Sequence, residues 1–491
     1  MRTNTAFLQV SLVVTLSLFS TCARNPVTGK RELSLMSQEQ EIALGQQSHP
    51  SVVASMGLYD NKNLQAFMNQ KGQAMAKISH RPDLPYQFYI VDSPVVNAFA
   101  VPGGFVYFTR GILAHFNNEA EFAGVLGHEI GHITARHAAS QQNKQLFGTL
   151  GTIATAILLP QATELAQQGA GLLLLKYSRG HESQSDEIGV EYSSKIGYDA
   201  HQMANFFSTI KRISEGSGET IPTFMSTHPD PGNRNVTVNK LATEYQAKNP
   251  ASYQVNRDQY LRLVDGITYG EDPKQGFVEN NQFYHPELRF QFPVPSGWQH
   301  QNSPEQFQMG PKEGKMAMIL MLAKGSSLDE AAQNLVKELS LKVSENQKTT
   351  INGNPAYVLI SQQQAPQQEG QPQQQQQPQD PKTATQIATW LIQYNNAVYA
   401  LHGLSAVSTF NDSFRTFQSV AGGFKALSDP DKLNRKPERV LVKSVPRDGS
   451  FSEVMSALGM PSARLEELGT LNSLKANDRI ARGSLIKVIA K

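Results

Sequence analysis

Three residues in the stretch His128-Glu129-Ile130-Gly131-His132 have the types and spacing for metal chemistry. On a helix, His128 and His132 stand at i and i+4, so both imidazoles project from one face about one turn apart. That separation suits two ligands of a tetrahedral zinc ion. Glu129 sits beside the first, where a carboxylate can take a proton from the attacking water without ligating the metal. The competing reading is an amphipathic helix with solvated imidazoles. Against it, Phe122, Val125 and Leu126 make this segment apolar, and Gly127 and Gly131 permit close packing.

A catalytic zinc needs a third protein ligand and one open position. The candidate stretch is Ser178-Arg179-Gly180-His181-Glu182-Ser183-Gln184-Ser185-Asp186-Glu187-Ile188-Gly189. If it is helical, Glu182 and Asp186 share a face. Glu182 can then ligate, and Asp186 can accept a hydrogen bond from a ligand histidine. His181 and Glu187 are the local competitors. His115, His137 and His201 have no such spacing and read as structural or exposed.

This pattern resembles the M48 family of metallopeptidases, in its BepA-like group of periplasmic lipoprotein gluzincins. There HExxH is followed by Glu-x-x-x-Asp, with an Arg three residues before the Glu. Arg179, Glu182 and Asp186 match, and Ser185 stands where the family usually carries Ala. The resemblance implies one zinc per chain on His128, His132 and Glu182, with Arg179, Asp186 and Arg234 supporting the ligands. Asn97-Ala98-Phe99-Ala100-Val101-Pro102-Gly103-Gly104 resembles the family's edge strand. An exposed edge at Asn97, Ala98, Phe99 and Ala100 would hold an extended peptide by its backbone. Thr227-His228-Pro229-Asp230-Pro231-Gly232-Asn233-Arg234 resembles the His-Pro segment. His228 then either supports the oxyanion or closes onto the zinc; both roles stay open. The resemblance spans residues 25 to 260 and implies an endopeptidase of unfolded or misassembled cell-envelope proteins. Two other readings are a latched chaperone or wall-binding lipoprotein with little proteolysis, and a hydrolase of peptidoglycan peptides.

The elements that must position these residues are legible in outline. Ser37 and Gln40 have capping-box spacing before a helix over 37–47. A second helix is expected over 62–78. Strands are expected over 86–92, 95–101 and 105–109, the last two joined by a Pro-Gly-Gly turn. The helix bearing His128 is expected to run from Glu119 to Ser140, with Asn118 and Glu121 at capping spacing. Phe147 to Leu175 is apolar but interrupted by Pro160 and Gly169-Ala170-Gly171, which favours two buried helices over a membrane span.

At 491 residues, two to four domains are expected, and a formal charge of +2 gives no pull toward nucleic acid. Residues 1–21 read as an export signal, with Arg2 before an apolar run of signal-peptide length. The single cysteine of the chain, Cys22, ends it. Phe19-Ser20-Thr21-Cys22 resembles a lipobox, and Ala23 favours an outer-membrane anchor on the periplasmic side. The fold class expected is multidomain α+β. A mainly helical gluzincin peptidase domain with a small β-sheet covers 22–270. An α+β domain with a PsbP-like opening covers 275–428, with strands at 284–292, 316–322, 355–361, 385–394 and 397–401 and a helix over 328–341. It carries a disordered Gln/Pro loop at 362–381. Residues 439–491 read as a separate, LysM-like βααβ module that offers peptidoglycan binding. Arg447-Asp448-Gly449-Ser450-Phe451 replaces the usual first turn of that module.

Overall fold

The computed structural model describes residues 22–29, 31–33, 36–140, 177–216, 224, 227–229, 233–363 and 384–491. The signal segment 1–21, the apolar stretch 147–175 and nearly all of the Gln/Pro tract lie outside the described residues. Cys22–Arg24 (β1) pairs with Arg31–Leu33 (β2) ahead of the first helix, Gln38–Met56 (α1). Ser37 and Gln40 close the capping box at the start of α1. Lys62–Lys77 (α2) follows, capped by Asn61.

Three strands come next: Gln87–Val91 (β3), Ala98–Val101 (β4) and Phe105–Thr109 (β5). Their order is β3-β5-β4, with β3 parallel and β4 antiparallel to β5, so β4 lies at an edge. Gly103 and Gly104 turn the hairpin with φ of 85° and 105°. A side chain on Gly103 would bring its Cβ within 2.6 Å of the Ile42 Cα, so glycine lets α1 lie against this turn.

Arg110–His115 (α3) leads to the central helix Glu119–Thr134 (α4), capped by the Asn118 side chain. Every residue of α4 is buried, which explains a helix rich in Ala, Gly and aliphatic residues all round. The expected extension to Ser140 is not continuous. Arg136 takes a left-handed backbone, φ 58°, and the chain restarts a helical turn at His137. Arg136 is held there by Glu41, Nε to Oε1 2.6 Å, and by the Met36 carbonyl, 2.5 Å. Arg179–Lys195 (α5), His201–Gly216 (α6), Arg234–Lys248 (α7) and Arg257–Val264 (α8) complete the helical layer, and Thr268–Tyr269 (β6) leaves it.

Residues 277–426 form a mixed unit. Seven antiparallel strands run in the order 299–302, 306–310, 316–322, 397–406, 385–394, 354–363, 341–351. The helix Leu328–Glu338 packs on one face through Ala331 and Ala332, and Phe410–Gly422 packs on the other through Phe417. The strand expected over 284–292 is two strands, Gln282–His285 and Phe290–Pro293, because the chain turns between them with Arg289 at φ 59°.

The expectation that residues 439–491 stand apart is corrected. Their order is strand, helix, helix, strand, but strand Glu438–Ser444 pairs with Leu485–Ala490 on one side and with β6 on the other. Phe451, Val454, Leu468, Leu471 and Ile486 belong to the same core as Phe116, Phe122 and Tyr260. A segment this short buries a modest share of its surface by itself, and the shared core adds to it. Lys487 enters that core fully buried, and its Nζ donates to the carbonyls of Ala114 at 2.8 Å and Phe116 at 3.0 Å.

Candidate metal centre

Four side chains from three segments meet beneath β4. His128 and His132 come from α4, Glu182 from α5, and His228 from the segment before α7; all four are buried. The Nε2 atoms of His128 and His132 are 3.0 Å apart. Glu182 carboxylate oxygens lie 3.4 Å from each of those nitrogens. His228 Nδ1 lies 3.3 Å from His128 Nε2 and 3.2 Å from Glu182 Oε1. Four ligands on a tetrahedral zinc, with metal–ligand distances near 2.0–2.1 Å, stand about 3.3 Å from one another. The donor types and their separations therefore fit one zinc ion.

The charge around the cluster fits as well. Burial alone would raise the Glu182 pKa, but His228 and His128 hold it well below the usual carboxylate range. Burial lowers His128, yet hydrogen bonds to Asp186 and Glu182 carry its pKa up to about 9. Burial holds His132 well below the ordinary imidazole value. Imidazoles around one ionised carboxylate are the donor types a divalent cation takes, and its binding would displace the proton that His128 otherwise holds.

Around the ligands, Asp186 Oδ1 lies 2.9 Å from His128 Nδ1. Arg234 grips Asp186 through Nε at 3.0 Å and Nη2 at 2.5 Å, and its Nη1 lies 3.3 Å from Glu182 Oε2. Its guanidinium also stacks over Phe207, 3.9 Å from the ring centre. One buried cation thus offsets two buried carboxylates. Arg179 stands outside this network: it is exposed at the first turn of α5, and the guanidinium comes from Arg234 instead. Ser178, Arg179 and Gly180 at the start of α5 are exposed, whereas Arg234 at the start of α7 is buried.

Glu129 points into the site from α4. Both carboxylate oxygens are buried without a hydrogen-bond partner among the described residues, and His228 Nε2 stands 3.5 Å from Oε1. Burial raises its pKa against the pull of His228 and His128. A buried carboxylate left unpartnered is suited to a water or substrate proton.

His228 Nε2 also lies 3.4 Å from the Ala98 carbonyl on β4. Its ring stacks on Phe224, with centroids 4.7 Å apart. The exposed edge anticipated at Asn97–Ala100 is buried: none of these four residues is more than 6% accessible. Strand position sets the edge, but packing of the site against it decides access.

Sequence reasoning missed three neighbours. The Tyr177 ring stacks on His132 with centroids 3.9 Å apart. His137, expected to be merely structural or exposed, is buried with Nδ1 3.0 Å from His132 Nδ1. Burial and the adjacent His181 take its pKa down to about 3. Glu41 of α1 binds both Arg81 (2.7 Å) and Arg136 (2.6 Å), and Arg81 caps the Ile133 carbonyl at 3.1 Å. The i+5 step from His132 to His137 follows no helical face, so only the left-handed Arg136 creates that contact.

Residues 62–242 match the model of Peptidase family M48. A beta-barrel assembly-enhancing protease of Yersinia pestis is 29% identical over 262 residues, covering 50% of this chain and 52% of that one. The mitochondrial metalloendopeptidase OMA1 of Arabidopsis thaliana is 31% identical over 171 residues, 35% of this chain and 34% of that one. The chain thus spans about half of the first relative's length and about a third of the second's. Among solved structures, cyanobacterial PsbP from Synechocystis aligns with 30% of this chain and 91% of its own, at 10% identity and a TM-score of 0.22.

Proposed function

Taking as premise that the chain contains an M48 zinc metallopeptidase domain, we propose that the protein is an endopeptidase of unfolded or misassembled cell-envelope proteins. The observation that carries the activity is the buried, unpartnered Glu129 carboxylate beside a His-His-Glu donor set. His128, His132 and Glu182 would hold the zinc, which supplies Lewis acidity toward a water and the scissile carbonyl. Glu129 accepts the water proton at its carboxylate and delivers it to the leaving amine, a task its raised pKa suits. Asp186 accepts from His128 Nδ1–H and keeps its Nε2 lone pair toward the site. β4 lies at the sheet edge, and its backbone can pair with an extended peptide only in a state where the cover over Ala98, His228 included, has moved away.

The substrate class rests on the relatives named for beta-barrel assembly and on the export-signal character of residues 1–21, with Cys22 as a lipid anchor on the periplasmic side of the outer membrane. A chaperone-like resting state is the second reading, favoured by His228. Its Nδ1 joins the donor cluster while its Nε2 faces both Ala98 and Glu129. One ring then covers the fourth ligand position, the general base and the substrate edge, so we read this state as latched. Peptidoglycan binding by 439–491 is secondary to its packing role.

The test compares wild type with Glu129→Gln. Both should carry one zinc per chain, and the variant should cleave casein at least about a hundredfold more slowly. Equal cleavage by the two proteins sinks the assignment. Cleavage of wall peptides alone, lost in Glu129→Gln, would move the substrate to peptidoglycan.

A further inference from the structure

The two histidines of the motif are supported differently. His128 Nδ1 meets a carboxylate, Asp186, at 2.9 Å. His132 Nδ1 meets an imidazole, His137 Nδ1, at 3.0 Å. His137 Nε2 lies 2.9 Å from Gln184 Oε1, and the same ring stacks on His181 with centroids 4.3 Å apart and planes at 11°. Ser185 Oγ stands 3.3 Å from His137 Nδ1. Gln184 and Ser185 both come from α5, the helix that carries Glu182.

These contacts determine where the protons sit. An amide oxygen only accepts, so His137 Nε2–H donates to Gln184 Oε1. The Nδ1 of a neutral His137 then holds a lone pair and accepts from His132 Nδ1–H. That leaves the Nε2 lone pair of His132 facing the donor cluster. The opposite arrangement puts a proton on His132 Nε2 and blocks ligation. Ser185 Oγ–H can donate to the same Nδ1 and hold it as an acceptor.

We propose that His137, oriented by Gln184 and Ser185, is the positioning residue for the ligand His132, doing with a neutral imidazole what Asp186 does for His128. The role rests on the metallopeptidase reading of the site. It ties α5 to both ligand histidines, through Asp186 to one and through Gln184, Ser185 and His137 to the other. It also gives a function to Ser185, the position where this chain departs from the resembling motif.

Two substitutions separate hydrogen bonding from shape. His137→Phe keeps a planar ring and removes the acceptor. His137→Asn puts Oδ1 near the place of Nδ1 and keeps it. In the full chain, zinc affinity is read by competition with a chromophoric chelator, and ligand geometry by the d–d bands of the Co²⁺-substituted protein. His137→Phe should bind zinc about 10–100-fold more weakly and shift the Co²⁺ bands. His137→Asn should recover most of the affinity and the wild-type bands. Gln184→Leu should show a smaller loss in the same direction. Wild-type affinity and bands in His137→Phe overturn the proposal, and so does equal impairment of the Phe and Asn variants. If His137→Phe does not fold, Gln184→Leu decides: unchanged affinity and bands there overturn it. Casein cleavage by wild type is scored separately. Its absence sinks the peptidase reading, while the zinc series still decides the role of His137.

Discussion

Gly127 of α4 and Gly189 of α5 face each other where the two ligand-bearing helices cross. A Cβ on Gly127 would sit 3.0 Å from both the Cα and the carbonyl oxygen of Gly189. A Cβ on Gly189 would sit 3.1 Å from the His128 nitrogen. Backbone against backbone at this crossing lets Glu182 reach within 3.4 Å of both motif histidines. Gly127→Ala should therefore push the helices apart by a few tenths of an ångström. We expect about 1–3 kcal/mol of destabilisation, together with weaker zinc binding, read by denaturant titration and chelator competition. Unchanged zinc affinity in a destabilised variant would mean that the crossing does not set the ligand geometry.

His228 gives a prediction whose sign separates its two roles. A latch lowers apparent activity by the fraction of molecules that are open. If a tenth or less of the protein is open, His228→Ala raises casein cleavage about tenfold or more. If His228 instead supports the oxyanion, the same change lowers kcat by about 10²–10³. Steady-state kinetics on casein, with zinc content measured alongside, distinguishes a gain from a loss.

Lys487 tests whether residues 439–491 belong to the peptidase core. Burial lowers its pKa, against the opposing pull of the Glu121 carboxylate near the start of α4. Replacing it with Met leaves Glu121 buried without that cation and removes the donor to Ala114 and Phe116. Leaving a buried carbonyl without its donor costs about 1–3 kcal/mol. The Lys487→Met protein should lose thermal stability and peptidase activity together. Wild-type stability in that variant would make the C-terminal segment an independent attachment.

The unit 277–426 has its own pH signature. His402 is buried beside Thr389, Nδ1 to Oγ1 2.9 Å, and burial lowers its pKa to about 4. Its folded pKa lies below the unfolded value near 6.5, so between pH 4 and 6.5 the unfolded chain binds more protons. Stability contributed by neutral His402 is present above about pH 6.5 and is lost as pH falls toward 4. The full effect is on the order of 3 kcal/mol. Both tryptophans of the chain, Trp298 and Trp390, lie in this unit, so their fluorescence follows its unfolding. Urea midpoints should fall between pH 7 and pH 5 in wild type. Burial lowers His285 of the same unit to about 4 as well, so the paired change Thr389→Val with His402→Leu should remove about half of that dependence, and an unaltered slope would rule out His402 as a source.

Much of the site was legible locally. The i, i+4 spacing of His128 and His132 and the adjacent Glu129 are properties of one helix, and the caps at Ser37 and Asn118 are decided within a few residues. The same periodicity overran the end of α4. Nothing within 119–140 signals that Glu41, 95 residues earlier, pins Arg136 in a left-handed turn.

By itself, the sequence determined the motif helix, the metal chemistry of its residue types and the run of elements before it. These depend on contacts a few residues apart, where periodicity and capping act. Only the tertiary structure decided that Arg234 rather than Arg179 balances the carboxylates, and that His137 faces His132. It also decided that His228 spans the 130 residues to Ala98 and that Lys487 reaches Ala114, 373 residues away. Such pairings are chosen by which faces bury one another and which buried charges find partners, and local spacing does not encode that choice.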